Sequence, residues 1–464
     1  MTLDGIGFFF QRDQTWWEKG AKAFVDYTRR CQALLQYGHP VTDIAVFTGE
    51  EVPRRSILPE RLVPSLPGIF GAERVESERI RLANEGQPLR VRPVGVTHSA
   101  NMADPEKWVN PLRGYAYDSF NKDAILRLAK AENGRITLPG GASYKVLVLP
   151  LSRPMNPKPV LSSEVQKKIN ELKEAGILVP SLPYTEEDFS VYGLERDMIV
   201  PEDIAWTHRR GELGELYFVA NQKDETRTFT ASMRINGKKP ECWNPVTGEM
   251  NIHPSYRING NRTEVTLTLA PNESVFIVYP AEGVHEGYGE SSLQLQKEKK
   301  DTAKEPLNIA LEAKEYTITF AANKKTLTRK KLFDWSQESD EQIRYYSGTA
   351  TYKTTFRWKN KPNKDQQIYL NLGTVYNLAT VRVNGVDCGT IWTAPYRADI
   401  TGALKKGINE LEIEVTNTWA NALTGADEGK APFDGIWTNA KYRRAEKTLL
   451  PAGLLGPLSF STTE

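Results

Sequence analysis

The stretch that decides the fold reads IRYYSGTATYKTTFRW (343–358), IYLNLGTVYNLATVRVNGVDCGTIW (368–392) and NELEIEVTNTW (409–419). Its apolar residues recur at every second position: Ala350, Tyr352, Phe356, Trp358, Ile368, Leu370, Leu372, Ala379, Val381, Val383, Leu411, Ile413 and Val415. Because successive side chains of a strand point to opposite faces, this period predicts half-buried antiparallel strands. Asn384-Gly385 lies between two runs, and both residues accept the positive φ of a two-residue hairpin. We therefore predict an all-β sandwich of the jelly-roll type over residues 307–464.

Length and composition bound the class of protein. At 464 residues the chain is too long for one core, and we expect three or four domains. Its 60 basic and 58 acidic residues nearly cancel, which argues against nucleic-acid binding through phosphate neutralisation. Cys31, Cys242 and Cys388 lie far apart without metal-ligand spacing, so neither a structural zinc site nor a disulfide is predicted.

The amino-terminal sequence, MTLDGIGFFFQRDQTWW (1–17), lacks the basic region, the apolar core and the cleavage site of a signal peptide. Apolar runs in the sequence fall short of the roughly 20 residues that span a bilayer. From the sequence we expect a soluble chain with no export signal and no membrane partner.

Residues 41–183 have an α/β pattern. A short apolar strand in DIAVFTGEE (43–51) runs into a polar loop, and residues 146–149 form a continuous apolar run typical of a buried parallel strand. A capping box at Ser163 and Gln166 begins the next predicted helix, and a short strand follows it. This βαβ unit predicts a Rossmann-like or flavodoxin-like domain.

Two local signals in residues 41–183 concern a helix and a glycine-rich loop. Asn121 is predicted to cap a helix that ends at Asn133-Gly134. The glycines of LPGGA (138–142) precede a strand, whereas the dinucleotide fingerprint joins a strand to a helix. A dinucleotide site is therefore not predicted.

The flanking regions differ from the α/β pattern. Residues 184–280 contain four strand-like segments, which predict a small β-sandwich, and the polar residues 281–306 predict a linker. In residues 1–40, GIGFFF (5–10) predicts one buried strand, and the sequence up to Gly38 predicts a helix. One strand and one helix cannot bury themselves, so we interpret them as a remnant of a (β/α) barrel.

A polar cluster follows this first strand. Arg12, Gln14 and Trp16 lie in FQRDQTWW (10–17), and at the carboxyl end of a barrel strand they would lie in an active site. Alternatively, Asp13 or Thr15 caps the following helix. With both interpretations open, Arg12, Gln14 and Trp16 are candidate substrate-binding residues.

Carboxylates are also candidate site residues, because glycoside hydrolysis needs two of them across a sugar ring. Glu50 and Glu51 follow a strand end, where ligands approach open α/β sheets, and are further candidate substrate-binding residues. Neighbours on an extended chain point apart, so the alternative is a solvated loop or carboxylates at a helix N-terminus. Asp427-Glu428 is predicted in a long loop, solvated or calcium-binding rather than catalytic. The histidines lack metal spacing and are interpreted as surface or hydrogen-bonded core residues: His39, His98, His208, His253 and His285.

Several segments together resemble α-L-rhamnosidases of glycoside hydrolase family 106. They include FFQRDQTWW (9–17), DIAVFTGEEVPRR (43–55), DIAWTHRR (203–210) and YYSGTATYKTTF (345–356). The resemblance implies that the α/β domain is the one that follows the catalytic barrel, and that the last domain is galactose-binding-like. It also implies an inverting mechanism with two barrel glutamates, a nearby calcium ion, and a periplasmic or secreted full-length relative.

This chain departs from the family in two respects. The family's catalytic glutamates have no matching position here, so none is assigned and no metal ligand is assigned. Asn421-Ala-Leu-Thr-Gly-Ala426 replaces the family's Asn-Arg-Leu-Ile-Gly-Asp, which removes an arginine and an aspartate. Whether the chain is an enzyme stays open at this stage.

The sequence thus predicts an accessory C-terminal portion of a rhamnosidase-like glycoside hydrolase, inactive alone, with a rhamnose-containing glycan as its partner. Two alternatives remain: a stand-alone carbohydrate-binding protein that uses the jelly roll, and a structural scaffold for another chain. An apolar patch of Trp16, Trp17 and Phe24 is also expected.

Overall fold

The computed structural model describes residues 2–4, 7–9, 20–50, 62–83, 112–151, 160–252, 256–281, 308–359, 367–437 and 448–463. Within these ranges the chain is mostly β-sheet with few helices. It divides into two compact units. We call Met1–Arg29, Pro93–Thr97 and Leu295–Glu464 the C-terminal unit, and Arg30–Arg92 and His98–Gln294 the central unit.

The amino-terminal segment begins with a hairpin, in which β1 (Thr2–Asp4) pairs antiparallel with β2 (Gly7–Phe9). The single strand predicted at residues 5–10 is therefore the second half of a two-stranded ribbon. Helix α1 (Lys22–Leu35) lies within the predicted helical range. The chain turns away at Gly38, whose φ is +52° and whose added Cβ would lie 2.1 Å from the Arg210 carbonyl oxygen. Only glycine fits there.

The first half of the central unit surrounds a parallel sheet. Its elements are β3 (His39–Pro40), β4 (Ile44–Phe47), α2 (Pro67–Phe70), α3 (Ala72–Ala83), β5 (Tyr117–Phe120), β6 (Lys130–Glu132), β7 (Arg135–Thr137), β8 (Ser143–Tyr144), β9 (Val146–Val148) and α4 (Ser163–Glu174). The sheet order is β5-β4-β9, and a parallel bridge from Val146 to Leu178 continues it. Every residue of β4 and β9 is buried, which confirms the buried parallel strand predicted at 146–149.

The helix predicted between Asn121 and Asn133-Gly134 is wrong in its length and in its end. Asn121 does accept from the Ala124 backbone N–H at 2.8 Å, but the helical segment is a single π turn, Ala124–Leu128. Asn133 and Gly134, with φ of 51° and 67°, instead form the turn between β6 and β7. Two consecutive positive φ values suit a hairpin turn, which explains why this dipeptide does not end a helix.

The second half of the central unit consists of two antiparallel sheets. Their strands are β10 (Met198–Ile199), β11 (Ile204–Gly211), β12 (Gly214–Asn221), β13 (Arg227–Met233), β14 (Glu241–Trp243), β15 (Met250–Ile252), β16 (Tyr256–Asn259), β17 (Arg262–Leu269) and β18 (Ser274–Pro280). One sheet has the order β10-β13-β17-β16, and the other has the order β15-β14-β18-β12-β11-β3. The two sheets share one buried core, with Met198, Tyr217, Ala231 and Ile277 at its centre. Strand β3 joins the edge at β11, where Arg210 pairs with His39.

Apart from the β1–β2 hairpin and the first part of α1, the C-terminal unit is also built mainly from two sheets. Its elements are β19 (Asn308–Ala310), β20 (Tyr316–Phe320), β21 (Thr326–Arg329), α5 (Glu341–Arg344), β22 (Thr349–Trp358), β23 (Gln367–Asn371), β24 (Thr374–Tyr376), β25 (Leu378–Val383), β26 (Val386–Ile391), β27 (Arg397–Asp399), β28 (Gly407–Thr416), α6 (Ala420–Asp427), β29 (Gly453–Gly456) and β30 (Ser459–Thr463). The sheet orders are β21-β20-β22-β28-β25-β26 and β19-β30-β23-β27, with β24-β29 as a separate ribbon.

The period-two alternation of apolar residues in 350–358, 379–383 and 411–415 is reproduced in this core. The apolar positions of β22, β25 and β28 face inward and meet β23 and β30 of the other sheet. Asn384 and Gly385, with φ of 52° and 80°, form the predicted two-residue turn between β25 and β26. Ile343 and Arg344, at the start of the quoted stretch, belong to α5 rather than to a strand. Asp427, predicted in a loop, is the last residue of α6.

Candidate functional site

The central unit contains a cavity of about 1160 Å³ that is open to solvent. Its polar lining comes from elements distant in sequence: Tyr37, His39, Asp43, Arg135, Ser143, Arg210, Glu212 and Arg234. Three glycines, Gly38, Gly141 and Gly211, also line it. Gly141 lies in the turn of LPGGA, which joins β7 to β8, as its order relative to the strand predicted.

Asp43 holds two of the guanidinium groups at this cavity. Its carboxylate is almost fully buried just before β4. Oδ1 accepts from Arg135 Nη2 at 3.0 Å, and Oδ2 accepts from Arg234 Nη2 at 2.7 Å. Because both oxygens are engaged by cations, this carboxylate orients the two arginines rather than facing the cavity as a free acid or base.

A second charged network lies next to Arg234. The buried His208 ring places Nδ1 2.8 Å from Asp197 Oδ2 and Nε2 3.1 Å from Glu215 Oε2, and it stacks on Tyr217 with centroids 3.9 Å apart. Carboxylates only accept hydrogen bonds, so both ring nitrogens donate and the ring is an imidazolium. His208 is therefore a hydrogen-bonded core residue, as the sequence predicted.

The electrostatics of this network follow from burial and charge pairing. Burial acts to lower the pKa of His208, but Asp197 and Glu215 raise it above its ordinary value. Burial acts to raise the pKa of Glu215, yet His208 and Arg210 bring it down to about 2. The pKa of Asp197 is lowered against the same opposing effect of burial, chiefly by His208. Each partner thus stabilises the charged form of the other.

Glu50 lies after β4 and contacts the start of α4. Its Oε1 accepts from the Ser162 backbone N–H at 2.5 Å, and its Oε2 lies 3.1 Å from Lys122 Nζ. Ser162, not Ser163, is the N-cap residue, and its hydroxyl accepts from the Val165 N–H at 3.4 Å. In a capping box the back-bond to the N-cap N–H comes from within the helix. Here Glu50 supplies it, and Gln166 donates to Asn170 instead.

This position has a consequence for ligand binding at the sheet. Counted along the chain, β4, β5, β9 and the bridge at Leu178 are the first to fourth parallel segments, and in the sheet they lie in the order 2-1-3-4. The chain changes direction across the sheet between β4 and β9. In doubly wound folds, ligands bind at such a switch point. The Glu50 carboxylate occupies the helix N-terminus at that point. Burial acts to raise its pKa, but the hydrogen bonds from Ser162 and Lys122 lower it overall. The helix-terminal alternative for Glu50 is thus the geometry observed.

The other candidate residues named from the sequence, Arg12, Gln14, Trp16 and Glu51, lie outside the described residues. So does Trp17 of the expected apolar patch. Phe24 of that patch is 36% exposed, and its ring packs edge-on against Trp392 with centroids 5.3 Å apart. The predicted linker at 281–306 also lies beyond the described ranges, apart from Ala281.

Metal-ligand clusters and membrane-spanning helices are both absent from the described residues. Among them, no group of three or more His, Cys, Asp or Glu side chains is placed to hold a metal ion. Glu428 instead accepts from the Tyr345 hydroxyl at 2.8 Å. Cys31, Cys242 and Cys388 form no disulfide bond. Within the ranges described, no helix combines the length and apolarity needed to cross a bilayer.

Comparison with known proteins agrees with the residue-level resemblance. The family model of glycoside hydrolase family 106, alpha-L-rhamnosidase, matches residues 1–87 and 184–258. A model of the galactose-binding domain-like part of glycosyl hydrolase family 2 matches residues 307–448. The structure of a rhamnosidase from Novosphingobium sp. PP1Y superimposes with a TM-score of 0.70 at 27% identity. This chain resembles the α-L-rhamnosidases.

The extent of these similarities is uneven. The superposition covers 98% of this chain and 42% of the Novosphingobium rhamnosidase. A protein of Formosa agariphila that is provisionally named a beta-glucuronidase is 22% identical over 700 aligned positions, which cover 99% of this chain and 58% of that protein. The rhamnosidase-like chain therefore spans roughly two-fifths to three-fifths of the length of these relatives.

Sequence reasoning did not single out the residues around the cavity. Asp43 and Arg210 lie inside segments that carried the resemblance, DIAVFTGEE and DIAWTHRR, but were not named as site residues. Arg135 and Arg234 had no local signal, because each is an ordinary arginine near a strand end. Their shared partner, Asp43, lies 92 and 191 residues away in sequence.

Proposed function

We propose that this chain is an accessory, non-catalytic part of a rhamnosidase-like glycoside hydrolase that acts on a rhamnose-containing glycan. The observation that carries the proposal is the similarity to the Novosphingobium rhamnosidase at a TM-score of 0.70 over 98% of this chain. The alpha-L-rhamnosidase model at residues 1–87 and 184–258 supports the same class of enzyme, and the galactose-binding domain-like match at 307–448 supports an accessory domain of a glycoside hydrolase.

Within this proposal the chain has four parts after its first 40 residues. Residues 41–183 form a flavodoxin-like domain, supported by the order of its parallel strands, and residues 184–280 form a small β-sandwich. Residues 281–306 link these to a galactose-binding-like jelly roll at 307–464, supported by the matching domain model. The two middle domains meet within one compact unit.

The non-catalytic assignment draws on the placement of two carboxylates. An inverting glycosidase needs a general acid and a general base about 6.5–9.5 Å apart, each able to exchange a proton. Asp43 uses both oxygens to hold arginines, and Glu50 caps α4 and contacts Lys122. Both side chains therefore have structural partners in place of a sugar and a water molecule.

The direct test is hydrolysis of 4-nitrophenyl α-L-rhamnoside by the purified chain. We expect release of nitrophenol at the rate of buffer alone, while the Novosphingobium rhamnosidase, assayed in parallel, supplies the positive control. Turnover that disappears in a Glu50→Gln or Asp43→Asn variant of unchanged stability would overturn the non-catalytic assignment.

A stand-alone carbohydrate-binding protein is the second candidate. It is favoured by the galactose-binding domain-like match and by two exposed tryptophans in the same region, Trp419 at 43% and Trp437 at 78%. Exposed aromatic rings can stack on sugars. Titration calorimetry with rhamnose oligosaccharides would support this function if the heat of binding is lost in Trp437→Ala, and an absence of heat across these glycans would count against it.

A further inference from the structure

The arginine-lined cavity of the central unit has no part in the accessory role proposed above. Its volume, about 1160 Å³, slightly exceeds the roughly 300–1,000 Å³ typical of small-molecule pockets. It is therefore larger than a single inorganic anion requires. Gly38, Gly141 and Gly211 also line the cavity, and the Tyr37 ring contributes an aromatic surface.

The cavity offers an anion charged N–H donors rather than an excess of positive charge. Arg135, Arg210 and Arg234 line it, together with the carboxylates of Asp43 and Glu212. A third carboxylate, Glu215, pairs with Arg210. Toward the described residues, Arg135 bonds through Nε and Nη2 to Ser143 and Asp43. Arg210 bonds through Nε and Nη2 to Glu215. Each therefore keeps Nη1 for a ligand, and the Arg210 side chain is 59% exposed.

The arginines are also held in place before any ligand arrives. Asp43 fixes Arg135 and Arg234 together, and Glu215 fixes Arg210 at 2.8–2.9 Å. Glu215 is itself held by the buried His208. Preorganised donors reduce the entropy that a ligand must lose on binding. Each remaining Nη1 is a charged donor, and a charge-assisted hydrogen bond to a carboxylate is stronger than one to a neutral hydroxyl group.

We propose that this cavity binds a carboxylate-bearing saccharide, a uronate, with Arg210 and Arg135 contacting the carboxylate. The ring hydroxyls then face the glycine backbone and Tyr37. This site goes beyond the accessory role, because it assigns the chain affinity for an acidic sugar unit in a glycan. It does not depend on whether the chain hydrolyses rhamnosides.

The test is titration calorimetry of the full chain with digalacturonate and with galactobiose, its neutral counterpart. We expect digalacturonate to bind at least tenfold more tightly than galactobiose, and more tightly than inorganic phosphate. Raising the salt concentration should weaken digalacturonate binding, because the contact is partly exposed. Equal affinity for the two disaccharides, or phosphate binding as tightly as digalacturonate, would overturn the proposal.

Three variants locate the site. Arg210→Gln should weaken digalacturonate binding at least tenfold, and Leu213→Trp should block the cavity from its exposed rim. Arg257→Gln removes a similarly exposed arginine on β16, outside the cavity, and should bind within twofold of the parent. Thermal unfolding confirms that each variant folds. If Arg210→Gln fails to fold, the location is tested by digalacturonate binding to Leu213→Trp alone. Unchanged digalacturonate binding in that variant would refute the assigned location.

Discussion

Replacing Glu50 by alanine should destabilise the central unit by about 1–2 kcal/mol, because its carboxylate stabilises the first turn of α4. The Glu50 Oε1 atom accepts from the Ser162 N–H at 2.5 Å, and its side chain is only 18% exposed. Removing it leaves that N–H to water and removes a negative charge from the positive end of the helix dipole.

The magnitude follows from two overlapping contributions. Loss of a capping acceptor costs about 0.5–2 kcal/mol in helices of proteins. A carboxylate near a helix N-terminus contributes about 0.3–1 kcal/mol through the dipole. Because both describe the same group at the same place, we do not add their upper limits. The contact with Lys122 adds little, since solvent screens that exposed ammonium group.

Urea unfolding monitored by tryptophan fluorescence, with hydrogen exchange of the peptide covering residues 160–176, measures this effect. Glu50→Gln keeps a hydrogen-bond acceptor without the negative charge, so its loss of unfolding free energy should be smaller than that of Glu50→Ala. Glu164→Ala, at a 60% exposed position in the same turn, is the matched control and should change the midpoint much less. Because the pKa of Glu50 is lowered, its contribution is present above pH 4.5 and is lost as pH falls through the folded pKa. An unchanged midpoint and unchanged exchange in α4 for Glu50→Ala would refute this reasoning.

Three further predictions concern substitutions of single residues. The raised pKa of His208 means that its ion pairs stabilise the fold fully below about pH 6.5 and that this stability is lost as pH rises through the folded pKa. Thermal unfolding should therefore occur at a lower temperature at alkaline pH, and His208→Gln should flatten that dependence. The contribution of Glu215 is fully present above pH 4.5 and is lost progressively as pH falls towards about 2. Tyr352→Phe removes the acceptor of the buried Trp335 indole N–H at 2.7 Å and of a backbone N–H, and should cost about 2–4 kcal/mol in urea unfolding; a loss under 0.5 kcal/mol would contradict it. Gly385→Ala forces a side chain to φ +80° and should cost about 1–2 kcal/mol, whereas Gly402→Ala, outside the positive-φ region, is its control.

The strands of both antiparallel regions were predictable because their signals are local. Alternation from Ala350 to Trp358 reports which face is buried without reference to the partner strand. The same logic found the turn at Asn384-Gly385. It misplaced Asn133-Gly134, because positive φ suits both a helix end and a hairpin, and only the neighbouring strands decide between them.

The cap of α4 marks the limit of such local reasoning. The sequence contained a plausible capping box at Ser163 and Gln166, and within the helix alone that choice was reasonable. Folding brought in Glu50 from 112 residues away, and its carboxylate took the back-bond one residue earlier, at Ser162. The same contact places the Glu50 carboxylate at the N-terminus of α4.

By itself, the sequence determined the strand pattern, the β25–β26 turn, the buried parallel strands and the resemblance to α-L-rhamnosidases, because periodicity, turn chemistry and motifs are written in neighbouring residues. Only the tertiary structure decided that Asp43 joins Arg135 to Arg234, that Asp197 and Glu215 hold His208 as an imidazolium, and that a cavity lies beside them. The physical reason is that the charge state and the role of an ionisable group depend on partners that folding alone brings within hydrogen-bond distance.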